Sequence, residues 1–220
     1  MLIETLLVAH IVVLGYWLGA DLVINSTYRY VCWARNLPFD ERNKLMDHVM
    51  HVDQHVRYAL VLQLALGSSL AALHGYLPYG LVTVALAAGV AVAWVILLEL
   101  VFRLRTSPWG PLLDRIDLLA WVSAGILLLL MSLAAFAQWI PMPRWLAIKL
   151  ALFGGVFLAG VGIRVALKTF FDAWQEVAQH GSNDAREASI QSGYRRATAV
   201  LLGLWALIGS IVILSVWKPN

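Results

Sequence analysis

The sequence predicts an all-α protein: a polytopic bundle of about six transmembrane helices with helical extensions on the cytoplasmic side. Three observations predict it. The chain has 220 residues, of which 61% are hydrophobic and only 13% charged, about half the charge of a soluble domain. Its apolar residues gather into six runs of roughly membrane-spanning length, at about 2–24, 55–74, 81–102, 117–140, 145–167 and 198–217. Finally, when these runs alternate across a bilayer, all of the 16 Lys and Arg residues except Arg144, Lys149 and Lys218 fall on one side. The positive-inside rule makes that side cytoplasmic and turns both termini outward.

The elements follow in order. The first run begins directly after Met1, has no basic start and contains His10 and Asp21. It reads as a mature helix rather than a cleaved leader. The connection 25–54 opens with NSTYRY. Within it, Asp40 is placed to cap a helix that carries Leu45, Val49, Val52 and Val56 on one face and continues into the second run. GYLPYG (75–80), RTSPWGP (105–111) and IPMPRW (140–145) supply the Gly and Pro breaks between runs two and five. The connection 168–197 holds HGSND, a turn with capping residues, followed by a polar helix at 185–197. Helices five and six are therefore expected to project beyond the membrane as a hairpin. Trp109, Trp139, Trp145 and Trp217 lie near run ends, as an interfacial belt requires. No internal repeat is visible, and the chain reads as one domain spanning 1–220.

Composition also excludes functions. The net charge of +3 is spread between apolar runs and forms no basic face for nucleic acid. The single cysteine, Cys32, rules out an intrachain disulfide framework and a CxxC redox motif.

Ionisable groups at membrane depth are functional candidates, because each is costly there. His10 lies roughly 12 Å into the first helix. His74 and Lys149 lie toward the same, outer side. On the inner side, Asp21, Glu99, Asp114 and Asp117 accompany three histidines, His48, His51 and His55. At about 100° per residue these three fall on one helical stripe. His51 and His55, four apart, have a spacing at which two imidazoles can share one ion. The plainer alternative is a hydrated histidine face at the interface. Glu99 and Arg103 are four apart and read as a helix ion pair. His74 reads equally as an interfacial residue, and Lys149 as a snorkelling one. GGVFLAGVG (154–162) offers small residues for close helix packing, within the chain or between copies.

Certain stretches bear a family likeness. His10 is followed seven positions on by Trp17 and the small-residue turn LGADL. This run resembles the first helix of the HemJ/CopD-type membrane proteins. WLAIKL (145–150) is similar to a later helix of that family, with Lys149 in the matching place. The closing Lys218–Pro219 resembles the family's last helix end. Arg29–Tyr30 stands only loosely where the family has an arginine-containing helix end with a Pro-Arg pair, and the stretch 168–197 is additional.

The resemblance implies a helical bundle that can hold haem b, with His10 and Lys149 as the residues that matter. It also implies either porphyrinogen oxidation on a tetrapyrrole or, in the CopD-type relatives, copper uptake. The leading expectation is a bacterial inner-membrane haem protein that passes electrons, to or from quinone, or performs HemJ-like oxidation. His10 is the preferred axial ligand, with Lys149 or His74 as its partner, or with Lys149 binding a haem propionate as a cation. His51 or His55 would serve a second haem, and Arg57 would pair with a propionate. A bare metal ion, copper foremost, would instead use His10, His51 and His55. The alternatives are a metal or proton transporter, and a membrane subunit that docks in a homo-oligomer or larger complex.

Overall fold

The computed structural model describes residues 1–218 and is all-helical. Six helices follow in order: α1 (Leu2–Trp33), α2 (Phe39–Leu73), α3 (Leu81–Arg103), α4 (Gly110–Phe136), α5 (Arg144–His180) and α6 (Asp184–Trp217). All six are long and apolar enough to cross a bilayer. The six-helix reading of the sequence stands. The Pro219 end of the Lys218–Pro219 match lies outside the described residues.

Two boundaries differ from expectation, both for local reasons. NSTYRY does not open a long connection. With no glycine or proline to stop it, α1 continues through this stretch to Trp33, and Val31 and Cys32 are fully buried there. The connection shrinks to residues 34–38. Nor does Asp40 stand outside α2 as its cap. The helix starts behind Pro38, whose carbonyl accepts from the Glu41 and Arg42 amides at 3.1 and 3.2 Å. Asp40 and Glu41 thus sit in the first turn, where carboxylates favour the helix dipole.

The HGSND turn is built as its residues suggest. Gly181 takes φ +75 at the end of α5, a conformation that suits glycine. Asn183 caps α6 by accepting from the Arg186 amide at 2.8 Å.

The chain divides into two compact units, Met1–Thr27 with Leu45–Asp117, and Tyr28–Lys44 with Leu118–Asn220. In the second unit, α5 and α6 form an antiparallel hairpin. Lys149 meets Ser215, Gly155 faces Leu207, Gly162 faces Val200, and Gly193 lies against Phe170. Each paired set of numbers steps down one helix as it steps up the other. At 37 and 34 residues these helices are about 50–55 Å long, well beyond the roughly 30 Å of a hydrocarbon core. Their polar ends, from Lys168 to Arg196, form the expected extension.

The small residues of 154–162 are used inside the chain. Gly154 abuts the Gly125 backbone of α4, and Gly160 lies under the Trp121 ring. The outward surfaces keep large apolar side chains such as Val12, Leu86 and Leu127 more than half exposed, as lipid-facing helices do.

The end of α1 is sealed within the second unit. Cys32 has no exposed surface. Burial pushes its thiol up to about 12, with Arg42 opposing and Glu187 adding to the rise. Because the thiolate is the reactive form, Cys32 should resist maleimide at pH 7.5 in the folded protein and label fully after denaturation in SDS. Mass spectrometry of the intact chain reads this directly. Rapid native labelling would contradict the buried placement.

Candidate functional site

In the first unit a line of polar side chains runs along α1, α2 and α3. Its upper end is His10. Gln63 on α2 is buried and donates from Nε2 to the His10 carbonyl at 3.0 Å. A Cβ added at Gly67 would stand 3.5 Å from His10 Cε1. The imidazole therefore lies along a part of α2 kept narrow by a glycine. The other end of the Gln63 amide, Oε1, is buried without a hydrogen-bond donor.

Lower on the same helices, Tyr16 and His55 pair through the Tyr16 hydroxyl and His55 Nδ1 at 2.9 Å. Both are exposed. The Tyr58 ring stacks on His55 with centroids 6.2 Å apart and 28° between planes. Tyr58 donates a short hydrogen bond to Glu99 on α3 and accepts one from Gln54 Nε2 at 3.0 Å. Gln54 also donates to the Leu98 carbonyl at 2.9 Å. Glu99 in turn pairs with Arg103, as the four-residue spacing predicts.

The remaining candidates separate. His51 directs Nδ1 at the Asp47 carbonyl at 2.7 Å and meets the Phe102 ring edge-on. His74 does the same one turn back, to the Leu70 carbonyl at 2.8 Å, and stacks on Tyr76. Against a carbonyl, Nδ1 must carry the proton, so each neutral ring keeps its Nε2 lone pair. His48 is exposed. The histidine stripe of α2 is real, but His51 and His55 have different partners and do not converge. Among the described residues, no three of His, Cys, Asp and Glu come together as a group that could hold a metal ion.

Arg57 is fully engaged with carboxylates. It bonds Asp53 at 3.0 Å and lies 3.8 Å from Asp117, which is completely buried. That charge is already compensated, which leaves little for a propionate. Asp21 is buried at the inner part of α1.

In the second unit Lys149 is half-buried, and its ammonium donates to the Ser215 hydroxyl at 2.8 Å. Among the described residues this neutral hydroxyl is its hydrogen-bonding partner, in contrast to the carboxylates around Arg57.

The second unit also contains an ion pair that sequence reading passed over. Arg42 and Glu187 are joined by two hydrogen bonds, at 2.7 and 3.0 Å, with both side chains almost wholly buried. Arg42 also donates to the Val31 carbonyl and stands over the Trp174 ring at 5.0 Å. Ser182 donates to Glu187 at 2.7 Å. The cluster ties the end of α1 and the start of α2 to the tip of the α5–α6 hairpin. The missed signal was periodicity. Arg42 shares one helical face with buried Met46 and Val49, and Glu187 shares one with Ile190, Tyr194 and Ala197. A charge within a buried stripe requires a buried partner.

No family model, curated protein or solved structure matches the chain.

Proposed function

We propose that this chain is an integral membrane redox protein that binds haem b at His10, in a bacterial inner membrane with both termini on the outer side. The supporting observation is the pattern of donors. Its histidines stand as separate imidazoles, and no three of His, Cys, Asp and Glu gather around a point among the described residues. A bare copper ion is held by a set of protein ligands. Haem brings four nitrogens of its own and asks the protein for one or two axial donors. Scattered imidazoles at membrane depth therefore suit haem better than copper.

The surroundings of His10 fit this use. Gln63 fixes the α1 backbone at His10, and Gly67 lets the ring lie close along α2. The buried Gln63 Oε1 offers an acceptor beside it. Haem, when bound, would supply one-electron chemistry; His10 would hold it, and the chain would supply a low-dielectric setting.

The test is the visible spectrum of the purified protein, oxidised and dithionite-reduced. Wild type expressed with ample haem should show a Soret band. His10→Ala should lose it or shift it while leaving the helical circular dichroism unchanged. A colourless wild type would end the haem reading. An unchanged His10→Ala spectrum would remove His10 as the ligand.

A further inference from the structure

We infer that the exposed Tyr16–His55 pair, backed by Tyr58, is a binding site for the headgroup of a membrane quinone. The inference goes beyond the haem reading and does not require it.

The position is unusual for such groups. Tyr16 lies about 21 Å along α1, past the middle of the first apolar run. His55 stands at the start of the second. Both therefore lie in the same half of the hydrocarbon core, and Tyr16 is 52% exposed. A hydroxyl and an imidazole facing lipid call for a partner that itself lives in the bilayer.

The pair has the right donors in either tautomer. If Tyr16 donates to His55 Nδ1, then Nε2 carries a proton and can donate to a quinone carbonyl. If Nδ1 carries the proton and donates to the tyrosine oxygen, the tyrosine proton faces outward and Nε2 becomes an acceptor. The second arrangement suits the hydroxyl of a quinol. One pair of side chains thus accommodates both oxidation states. The Tyr58 ring, stacked on His55, adds an aromatic wall for a flat headgroup.

Charge argues against the other bilayer-borne ligand, an anionic lipid phosphate. The arginines that α2 and α3 contribute nearby are already paired, Arg57 with Asp53 and Asp117, and Arg103 with Glu99. A phosphate would meet neutral hydrogen-bonding groups backed by a carboxylate. A neutral aromatic headgroup meets no such opposition.

The experiment is a quenching titration of tryptophan fluorescence with a decyl-benzoquinone, on the full chain in phosphatidylcholine nanodiscs. The buried Trp17, next to Tyr16, is a near reporter. Wild type should show saturable quenching. The apparent Kd should rise roughly tenfold in Tyr16→Phe and in His55→Phe, the loss expected for one hydrogen bond to a neutral group. Tyr79→Phe, on an exposed turn, should leave it unchanged.

Three results would overturn the inference: quenching that rises linearly with quinone in the bilayer, saturation with unchanged Kd in both variants, or displacement by phosphatidylglycerol but not by a second quinone. Tyr16→Phe retains the ring, so it carries the test even if His55→Phe does not fold. The Soret band recorded on the same samples registers a failure of the haem reading separately.

Discussion

Replacing Arg42 with Met should be the most damaging single substitution in the protein, costing about 3–5 kcal/mol and lowering the melting temperature in detergent by many degrees. The size follows from what is left behind. Glu187 would remain buried with Ser182 as its hydrogen-bonding neighbour, and an uncompensated carboxylate in that setting is strongly disfavoured. The Val31 carbonyl and the Trp174 ring would also lose their cationic partner. The double variant Arg42→Met, Glu187→Leu should regain most of the loss, because removing both charges removes the desolvation penalty as well. A single variant no worse than the double would mean that the pair contributes nothing beyond its packing.

The same pair makes a pH prediction. Glu187 lies beyond the apolar part of α6. Burial raises its proton affinity, but hydrogen bonds from Arg42 and Ser182, with the charges of Arg42 and Arg35, outweigh burial and hold the carboxyl below its ordinary value. The folded pKa is therefore lower than the unfolded one, which is about 4.3. Its contribution is complete above the unfolded value and is lost as pH falls through the folded one. Thermal stability should decline below about pH 4.3 in wild type, and this acid limb should flatten in the double variant. An acid limb of equal steepness in both would assign the effect to other carboxylates.

The second large effect is expected at the glycines of the second unit. A methyl group at Gly154 would stand 2.8 Å from the Gly125 carbonyl oxygen, and one at Gly193 would stand 2.9 Å from Phe170 Cα. Both obstacles are backbone atoms, so neither can rotate aside. Overpacking of this kind costs about 1–3 kcal/mol, against roughly 1 kcal/mol gained when alanine replaces glycine in a helix. Gly154→Ala and Gly193→Ala should both lower the melting temperature. Gly203→Ala, where the added methyl meets no atom within 4 Å, should leave it unchanged or raise it. Equal behaviour of the three variants would show that the close approach of α4 to α5, and of α5 to α6, is not limiting.

These examples show how far the sequence could be read. Helix number followed from run length and from Gly and Pro breaks, because a bilayer imposes a minimum span. Helix ends were less legible. Where α1 ran on through NSTYRYVCW, no proline or glycine stopped it, and the polar letters concealed a continuous helix whose far end is buried. The Glu99–Arg103 pair is local and could be read from spacing alone. Arg42 and Glu187 are separated by most of the chain, so only their shared occurrence in apolar stripes pointed to them. The site histidines were visible as letters. Their partners Tyr16, Tyr58, Gln54 and Gln63 were not, because uncharged polar residues in apolar helices carry no composition signal. Only the approach of α1 and α3 to α2 gives them roles.

The buried thiol at the end of α1 also has a use for topology. Since the chain's only cysteine is fully buried, the natural protein is expected to serve as a blank background. A single cysteine placed in the 75–80 turn, the 105–110 segment or beside Asn183 would be the sole reactive thiol. An impermeant reagent applied to intact cells would then report which face of the membrane each loop occupies, with no need to engineer the native residue away.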